Sequence, residues 1–89
     1  MNFKKYNWDD VNIEHVAQHS VIPQEVEEAC HNEPLIMKMG RNKYIIYGRS
    51  DSGRYLFMVT IYKGDGTIRA VTARDMTNSE RRLYNRKRR

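Results

Sequence analysis

The sequence predicts an α+β fold, because its apolar residues have helical spacing in the first third of the chain and strand spacing beyond Leu35. Two further observations support this fold class. Turn-forming Gly, Asp and Ser residues separate the strand-like runs, and Thr77 with Glu80 forms a helix-start signal after the last run. We therefore expect two N-terminal helices packed on a four- to five-stranded antiparallel sheet, with a C-terminal helix. All 89 residues should form one domain, with residues 77–89 as its basic helix and tail.

The first elements are a short strand and a helix. Residues 3–8, FKKYNW, alternate well enough for a strand with aromatic anchors at both ends. Asp9 or Asp10 then offers an N-cap carboxylate for a helix that should end near His19. Its expected apolar stripe has i, i+3, i+4 spacing and consists of Ile13, Val16 and Ala17.

A second helix follows within VIPQEVEEACH. Pro23 suits the first helical position, and glutamates enrich the early turns, where they favour the helix dipole. The apolar stripe that should face the sheet consists of Val26, Ala29 and Cys30. Pro34 disfavours helical geometry in Glu33, so the helix should end before it.

From Leu35 onward the chain has four strand-like runs: LIMKM, KYIIYGR, RYLFMVTIY and TIRAVTAR. SDSG and KGDG supply tight turns, so successive strands should pair as antiparallel hairpins. The capping box of Thr77 and Glu80 then starts a helix with a thin apolar face.

Charge is distributed unevenly along the chain. Residues 1–33 have a net charge of −5 and residues 34–89 a net charge of +10, which together give the +5 of the whole chain. This asymmetry indicates a basic surface that faces a polyanion, although a basic face can also serve solubility alone. No apolar run approaches the roughly 18 residues of a membrane helix, and no signal-peptide pattern opens the sequence. With a single cysteine as well, we expect a cytoplasmic protein.

The sequence gives little support to a metal site or to covalent catalysis. His15 and His19 are spaced i, i+4 and could take Cys30 or His31 as a third ligand, but the sequence has no H-E-x-x-H motif and no CxxC pair. The serines lack a nucleophile elbow, and the glycine segments are too short to cradle phosphate. We therefore expect no cofactor, and Cys30 should be a core residue.

Arginines at strand ends are the remaining candidates. Arg49 closes one strand, Arg54 opens the next, and Arg69 and Arg74 flank AVTA in the last. Strand alternation puts Arg69 and Arg74 on opposite faces unless a bulge intervenes. Any one of these arginines could simply be solvated or ion-paired. Several guanidiniums that converge would suit phosphate recognition.

These motifs together resemble a known family. W-D near the start, H-x-V-x-x-x-E-x-x-x-A (His19 to Ala29), GRSDSGRYLFMV, IRAVTAR and ERRLY are similar to the BrnT family of type II toxins, from Trp8 to Tyr84. The resemblance implies a RelE-like fold and a metal-independent endoribonuclease activity that inhibits translation. It also implies a BrnA-like ribbon-helix-helix antitoxin as partner, through which DNA would be contacted only indirectly. Where the family usually has Lys-His-Gly, this chain has Gln18, His19 and Ser20.

Such a ribonuclease must deprotonate the 2′-hydroxyl and stabilise the phosphate. A base with a pKa near neutrality serves best, so His19 is the candidate, with Glu25 as the alternative. Arginine stays protonated, which assigns Arg49, Arg74 and also Arg54 to the phosphate.

Other residues are expected to guide RNA. The candidates for steering its backbone are Lys43, Arg69, Arg86, Lys87, Arg88 and Arg89. Tyr47 and Tyr62 could stack on a base, with packing on the sheet as the alternative.

The alternative function is a non-catalytic RNA- or protein-binding module, a degenerate toxin. The lysine and glycine missing beside His19 favour it. In either case the basic tail could dock the antitoxin instead of guiding RNA.

Overall fold

The α+β fold class is confirmed by a computed structural model, which describes residues 3–87. These residues form five strands and three helices in the following chain order: β1 (Lys5–Tyr6), α1 (Asp10–Ala17), α2 (Pro23–His31), β2 (Leu35–Lys38), β3 (Lys43–Arg49), β4 (Tyr55–Gly64), β5 (Thr67–Asp75) and α3 (Asn78–Lys87). The strands form one sheet in the order β1-β5-β4-β3-β2. No helix within residues 3–87 has the length and apolarity needed to cross a membrane.

The sheet is mixed, which corrects one detail of the prediction. β2 to β5 pair antiparallel as expected, but β1 runs parallel to β5, with Lys5 opposite Thr67 and Tyr6 opposite Ile68. β1 is also shorter than the predicted strand over residues 3–8. Its direction depends on pairing with a strand about 60 residues away, so the local alternation of FKKYNW carries no information about it.

One face of the sheet packs against α1 and α2. This core consists of Val16, Val21, Val26, Ala29, Cys30, Ile46, Leu56, Met58, Ile68, Ala70 and Ala73. The predicted stripe of α2 is thus confirmed. Burial raises the pKa of the Cys30 thiol to about 12, so Cys30 stays a protonated core residue.

The stripe predicted for α1 is wrong in part. Val16 is buried, but Ile13 is 39% exposed and Ala17 is exposed as well, whereas Asn12 is only 2% exposed. The amide of Asn12 donates to the carbonyl oxygens of Asn7 and Ala70, at 2.9 and 3.1 Å. A polar side chain therefore takes the inward position because it satisfies one carbonyl group before α1 and one in β5.

Helix α2 sits directly on the backbone of β3. A Cβ at Gly48 would collide with the carbonyl oxygen of Ala29, whereas a Cβ at Gly40 would meet Lys43 Cβ at an ordinary 3.9 Å. We expect Gly48→Ala to lower the free energy of unfolding by about 1–3 kcal/mol, because α2 must shift away from the sheet. Gly40→Ala is the matched control and should be close to neutral in the same urea denaturation experiment. Equal stability of the two variants would contradict this packing.

Helix α3 covers part of the opposite face. Its core contains Tyr47, Met76 and Tyr84, with partly buried neighbours Leu35, Ile45, Tyr55, Phe57 and Leu83. The predicted capping box is confirmed: Thr77 N donates to Glu80 Oε1 at 2.9 Å, and Glu80 N donates to Thr77 Oγ1 at 3.2 Å.

A bulge in β5 decides where its two arginines point. Thr60 pairs with Ala70 and Val59 with Thr72, which leaves Val71 as the extra residue. The bulge reverses the alternation, so Arg69 (opposite Ile61) and Arg74 (opposite Phe57) lie on the same face. The separation by face that strict alternation predicted does not occur.

Candidate functional site

The candidate site is a depression at the end of the sheet where β3 and β5 end and β4 begins. Strand pairing places Arg49 opposite Tyr55 and Leu56 opposite Asp75. The depression has a volume of about 440 Å³ and is lined by Arg49, Gly53, Arg54, Tyr55, Asp75, Met76 and Arg81. Arg49 also borders a neighbouring depression of about 630 Å³. The hairpin turn and the helix start thus bring three guanidinium groups around one opening.

Arg54 is fully engaged inside the protein. Its Nε donates to Asp75 Oδ1 at 2.7 Å, and its Nη1 donates to the Ser20 carbonyl at 2.7 Å and to Glu25 Oε1 at 3.1 Å. Its Nη2 donates to the His19 carbonyl at 3.0 Å and to Asp75 Oδ2 at 3.3 Å. All three guanidinium nitrogens are therefore used to join the α1–α2 turn, the start of α2 and the end of β5.

Arg54 contacts both candidate bases, Glu25 through its carboxylate and His19 through its backbone carbonyl. Glu25 accepts from Arg54 with both oxygens and also accepts from Ile22 N at 3.1 Å, which caps α2. The side chain of His19 is exposed. The hydrogen bond from Arg54 is the main cause that lowers the pKa of Asp75, and the nearby His19 adds to it. His19 does not line the depression, but its carbonyl oxygen is held by Arg54, which does.

Arg74 does not line the depression, although the next residue, Asp75, does, and its guanidinium is tied to α3. Its Nη1 and Nη2 donate to the two carboxylate oxygens of Glu80, at 2.8 and 3.0 Å, and Nη1 also donates to the Asp75 carbonyl at 3.0 Å. Its Cζ lies 4.0 Å from the centroid of the Phe57 ring. The hydrogen bond from Arg74 is the main cause that lowers the pKa of Glu80.

Arg49 and Arg81 have spare hydrogen-bond donors. Their Cζ atoms lie 4.5 and 4.1 Å from the centroid of the Tyr55 ring. Arg49 donates only from Nη2 to the Gly53 carbonyl, at a long 3.3 Å, and its buried Nε has no hydrogen-bond partner among the described residues. Within residues 3–87 neither arginine forms an ion pair with a carboxylate. Hydrogen bonding to Asn85 and then Arg81, together with the two cationic charges, lowers the pKa of Tyr55.

A comparison with protein families identifies the family to which the chain belongs. The model of a family described as "ribonuclease toxin, BrnT, of type II toxin-antitoxin system" matches residues 8–80. The chain belongs to the BrnT family. No curated protein and no solved structure matches it. The BrnT description implies an RNA substrate and an antitoxin partner.

The expected steering residues of this BrnT protein lie elsewhere. Lys43 and Arg69 flank Ile61, six residues along β4 from Tyr55, a distance of about 20 Å at the usual rise of a strand. Arg69 is paired with Asp9 at 2.9 Å. The structure therefore does not bring these two cations to the depression.

The remaining predicted residues have varied positions. Tyr47 is 7% exposed and packs in the core beneath α3, and Tyr62 Oη accepts from Gly66 N at 2.8 Å. Arg86 and Lys87 are exposed on the last turn of α3. Arg88 and Arg89 lie outside the described residues. Among residues 3–87 no group of three His, Cys, Asp or Glu side chains is placed to hold a metal ion.

Sequence reasoning missed Tyr55 and gave Arg81 no site role. A signal existed for Tyr55: in GRSDSGRY the SDSG turn sets the hairpin register that places Tyr55 opposite Arg49. No comparable signal existed for Arg81, because its approach depends on how α3 docks. The family match ends at Glu80, the residue before it.

Proposed function

We propose that this BrnT protein is a RelE-like endoribonuclease that cleaves RNA without a metal ion and thereby inhibits translation in the cytoplasm. Residues 1–89 act as a single toxin domain, and a BrnA-like ribbon-helix-helix antitoxin neutralises it. The observation that carries the proposal is the arginine-lined depression at the strand ends, in a family described as ribonuclease toxins. Guanidiniums that are always protonated supply fixed positive charge at a phosphate.

The reaction begins at the ribose. The imidazole of His19 removes the proton of the 2′-hydroxyl, the 2′-oxygen attacks the adjacent phosphorus, and the bond to the 5′-oxygen breaks. The exposure of His19 supports it as the base over Glu25, whose two carboxylate oxygens are engaged by Arg54.

Arg49 is the first choice for the phosphate. Arg49 lines the depression, and within residues 3–87 its Nη1 makes no hydrogen bond, so an anionic oxygen could accept from it. Arg74 contacts phosphate only if its pair with Glu80 opens. Arg54 would have to abandon four partner residues, so its proposed role is to position His19 and the end of β5.

Incubating the purified protein with RNA in the presence of EDTA tests the proposal. We expect cleavage that EDTA does not reduce, with products that carry 2′,3′-cyclic phosphate and 5′-hydroxyl ends. His19→Ala should lower kcat by about 10², since a general base contributes at least that much. Co-expression of an antitoxin should abolish growth arrest.

The rival hypothesis gives a different result in the same experiment. A degenerate toxin would bind RNA with a steep salt dependence and leave it uncut. Intact RNA after incubation with folded protein would therefore support the non-catalytic module. The Gln18 and Ser20 replacements beside His19 favour that module.

A further inference from the structure

The guanidiniums at this end of the sheet divide into two classes. Arg54 and Arg74 donate hydrogen bonds to carboxylates and carbonyls of the protein. Arg49 and Arg81 lie over the Tyr55 ring and form no ion pair within residues 3–87. A stacked guanidinium keeps its N–H edge free for an anion. The pair available to a phosphate is therefore Arg49 with Arg81.

Tyr55 is held firmly at this place. Its backbone pairs with Arg49 in the β3–β4 hairpin, and its ring meets the ring of the buried Tyr84 edge-on, with centroids 5.9 Å apart. The two cations over its ring come from different elements, β3 and α3. Since sheet and helix both fix it, the phenol sits at a defined position beside two guanidiniums that form no ion pair within residues 3–87.

Expulsion of the 5′-oxygen needs a proton donor, and few lining groups qualify. Asp75 is ionised near neutral pH, because its ordinary pKa of 3.8 already lies well below neutrality and Arg54 lowers it further. The three lining arginines do not release their protons in proteins. Among the described residues that line the depression, Tyr55 alone carries a proton that it can transfer.

We propose that Tyr55 is the general acid of the cleavage reaction and that Arg81 binds the scissile phosphate together with Arg49. This inference rests on the proposed function. As the bond between phosphorus and the 5′-oxygen breaks, the phenol Oη–H bond breaks too, and its proton passes to the 5′-oxygen. The products are a 2′,3′-cyclic phosphate, a 5′-hydroxyl and a phenolate, which water reprotonates.

The surroundings of the phenol suit this role. Asn85 and Arg81 on α3 and Arg49 on β3 stabilise the phenolate that forms, and the lowered pKa of Tyr55 reflects the same contacts. Arg54 and Asp75 are the other charged groups of the depression, and they neutralise one another. Because the donor must be protonated, the rate should fall as the pH rises through the lowered pKa of Tyr55.

The decisive experiment compares two substrates. Tyr55→Phe keeps the ring under both arginines and removes only the hydroxyl. We expect it to lower kcat on RNA by at least about 10² and to abolish the alkaline decline of the rate. On an oligonucleotide whose scissile 5′-oxygen is replaced by sulfur, Tyr55→Phe should equal wild type, since a thiolate leaves without protonation.

The outcomes distinguish a failure of the Tyr55 assignment from a failure of the proposed function. If wild type cleaves RNA and Tyr55→Phe is unimpaired, or is equally impaired on both substrates, the assignment of Tyr55 is wrong while the ribonuclease function stands. If wild type cleaves neither substrate, the proposed function itself fails.

Arg81 has a matched control on the same helix. Arg82 is exposed and donates to Ser79 Oγ at 3.3 Å. Arg81→Ala should weaken binding of an uncleavable 2′-O-methyl RNA at least tenfold, whereas Arg82→Ala should change it less than twofold. Equal binding by the two variants would overturn the role of Arg81. Thermal unfolding of each variant is the check that α3 remains docked.

Discussion

Replacing Arg49 with alanine should lower kcat/KM for RNA cleavage by about 10³, the largest loss of activity that we expect from a single substitution. Arg49 borders both depressions at the strand ends and, within residues 3–87, its side chain makes a single long hydrogen bond. Its Nη1 is therefore open to a phosphate, and the guanidinium charge would stabilise the charge that develops on the phosphorane oxygens. Steady-state cleavage of a short labelled RNA measures the loss.

Two further variants test whether the loss of activity is specific to the guanidinium of Arg49. Arg49→Lys keeps the charge but loses the two-pronged donor geometry, so it should restore substrate binding more than kcat. Arg41→Ala removes an exposed cation from the β2–β3 turn, away from the depression, and should change kcat/KM less than twofold. If Arg49→Ala and Arg41→Ala lose activity equally, only the overall positive charge matters, and the site lies elsewhere.

Much of the fold follows from local chemistry. The bounds of β3 coincide with the run KYIIYGR, because β-branched and aromatic residues end there at a turn. Pro23 starts α2, and Thr77 with Glu80 starts α3, since each of these signals acts within a single helical turn. Such features depend on neighbours that the sequence displays directly.

Features set by distant contacts were not predictable in the same way. The parallel direction of β1, the inward Asn12 and the bulge at Val71 depend on which strands lie beside each other. The bulge has the greatest consequence, because one unpaired residue moves Arg74 to the face that α3 covers.

The same limit applies to the site. The clustering of arginines at one end of the sheet could be inferred from the hairpin turns, which place Arg49 and Arg54 on either side of SDSG. Which guanidiniums are already paired could not be inferred. The carboxylates that occupy Arg54 lie 29 and 21 residues away in the sequence, at Glu25 and Asp75. Only the folded chain separates a structural arginine from one with free donors.

The largest loss of stability should come from Arg54. Arg54→Met keeps the aliphatic stem and removes the guanidinium, which leaves Glu25 and two backbone carbonyls without their donor. We expect the free energy of unfolding to fall by about 3 kcal/mol, since several charge-assisted hydrogen bonds are lost at a half-buried position. Urea denaturation at neutral pH measures the change, and Arg82→Met on the exposed face of α3 is the control.

A double-mutant cycle with Glu25→Gln and Asp75→Asn separates the two ion pairs. The side chain of Glu25 is 21% exposed and that of Asp75 is 65% exposed. Solvent screens the second pair more strongly, so the coupling energy of Arg54 with Glu25 should be the larger of the two. A larger coupling with Asp75 would contradict the structural role assigned to the start of α2.

Arg54→Met should also differ from wild type in how its free energy of unfolding depends on acidic pH. Arg54 lowers the pKa of Asp75 below its ordinary value of 3.8, so this contact contributes stability above that pH and loses it as the pH falls through the lowered pKa. Wild type should therefore lose stability over this acidic range more steeply than Arg54→Met, in which the Asp75 carboxyl has no such partner. Parallel curves would mean that Asp75 titrates alike in the folded and unfolded chain. In that case Arg54 would act through Glu25 and the two carbonyls alone, and the end of β5 would be held at the depression by strand pairing with Leu56 and not by charge.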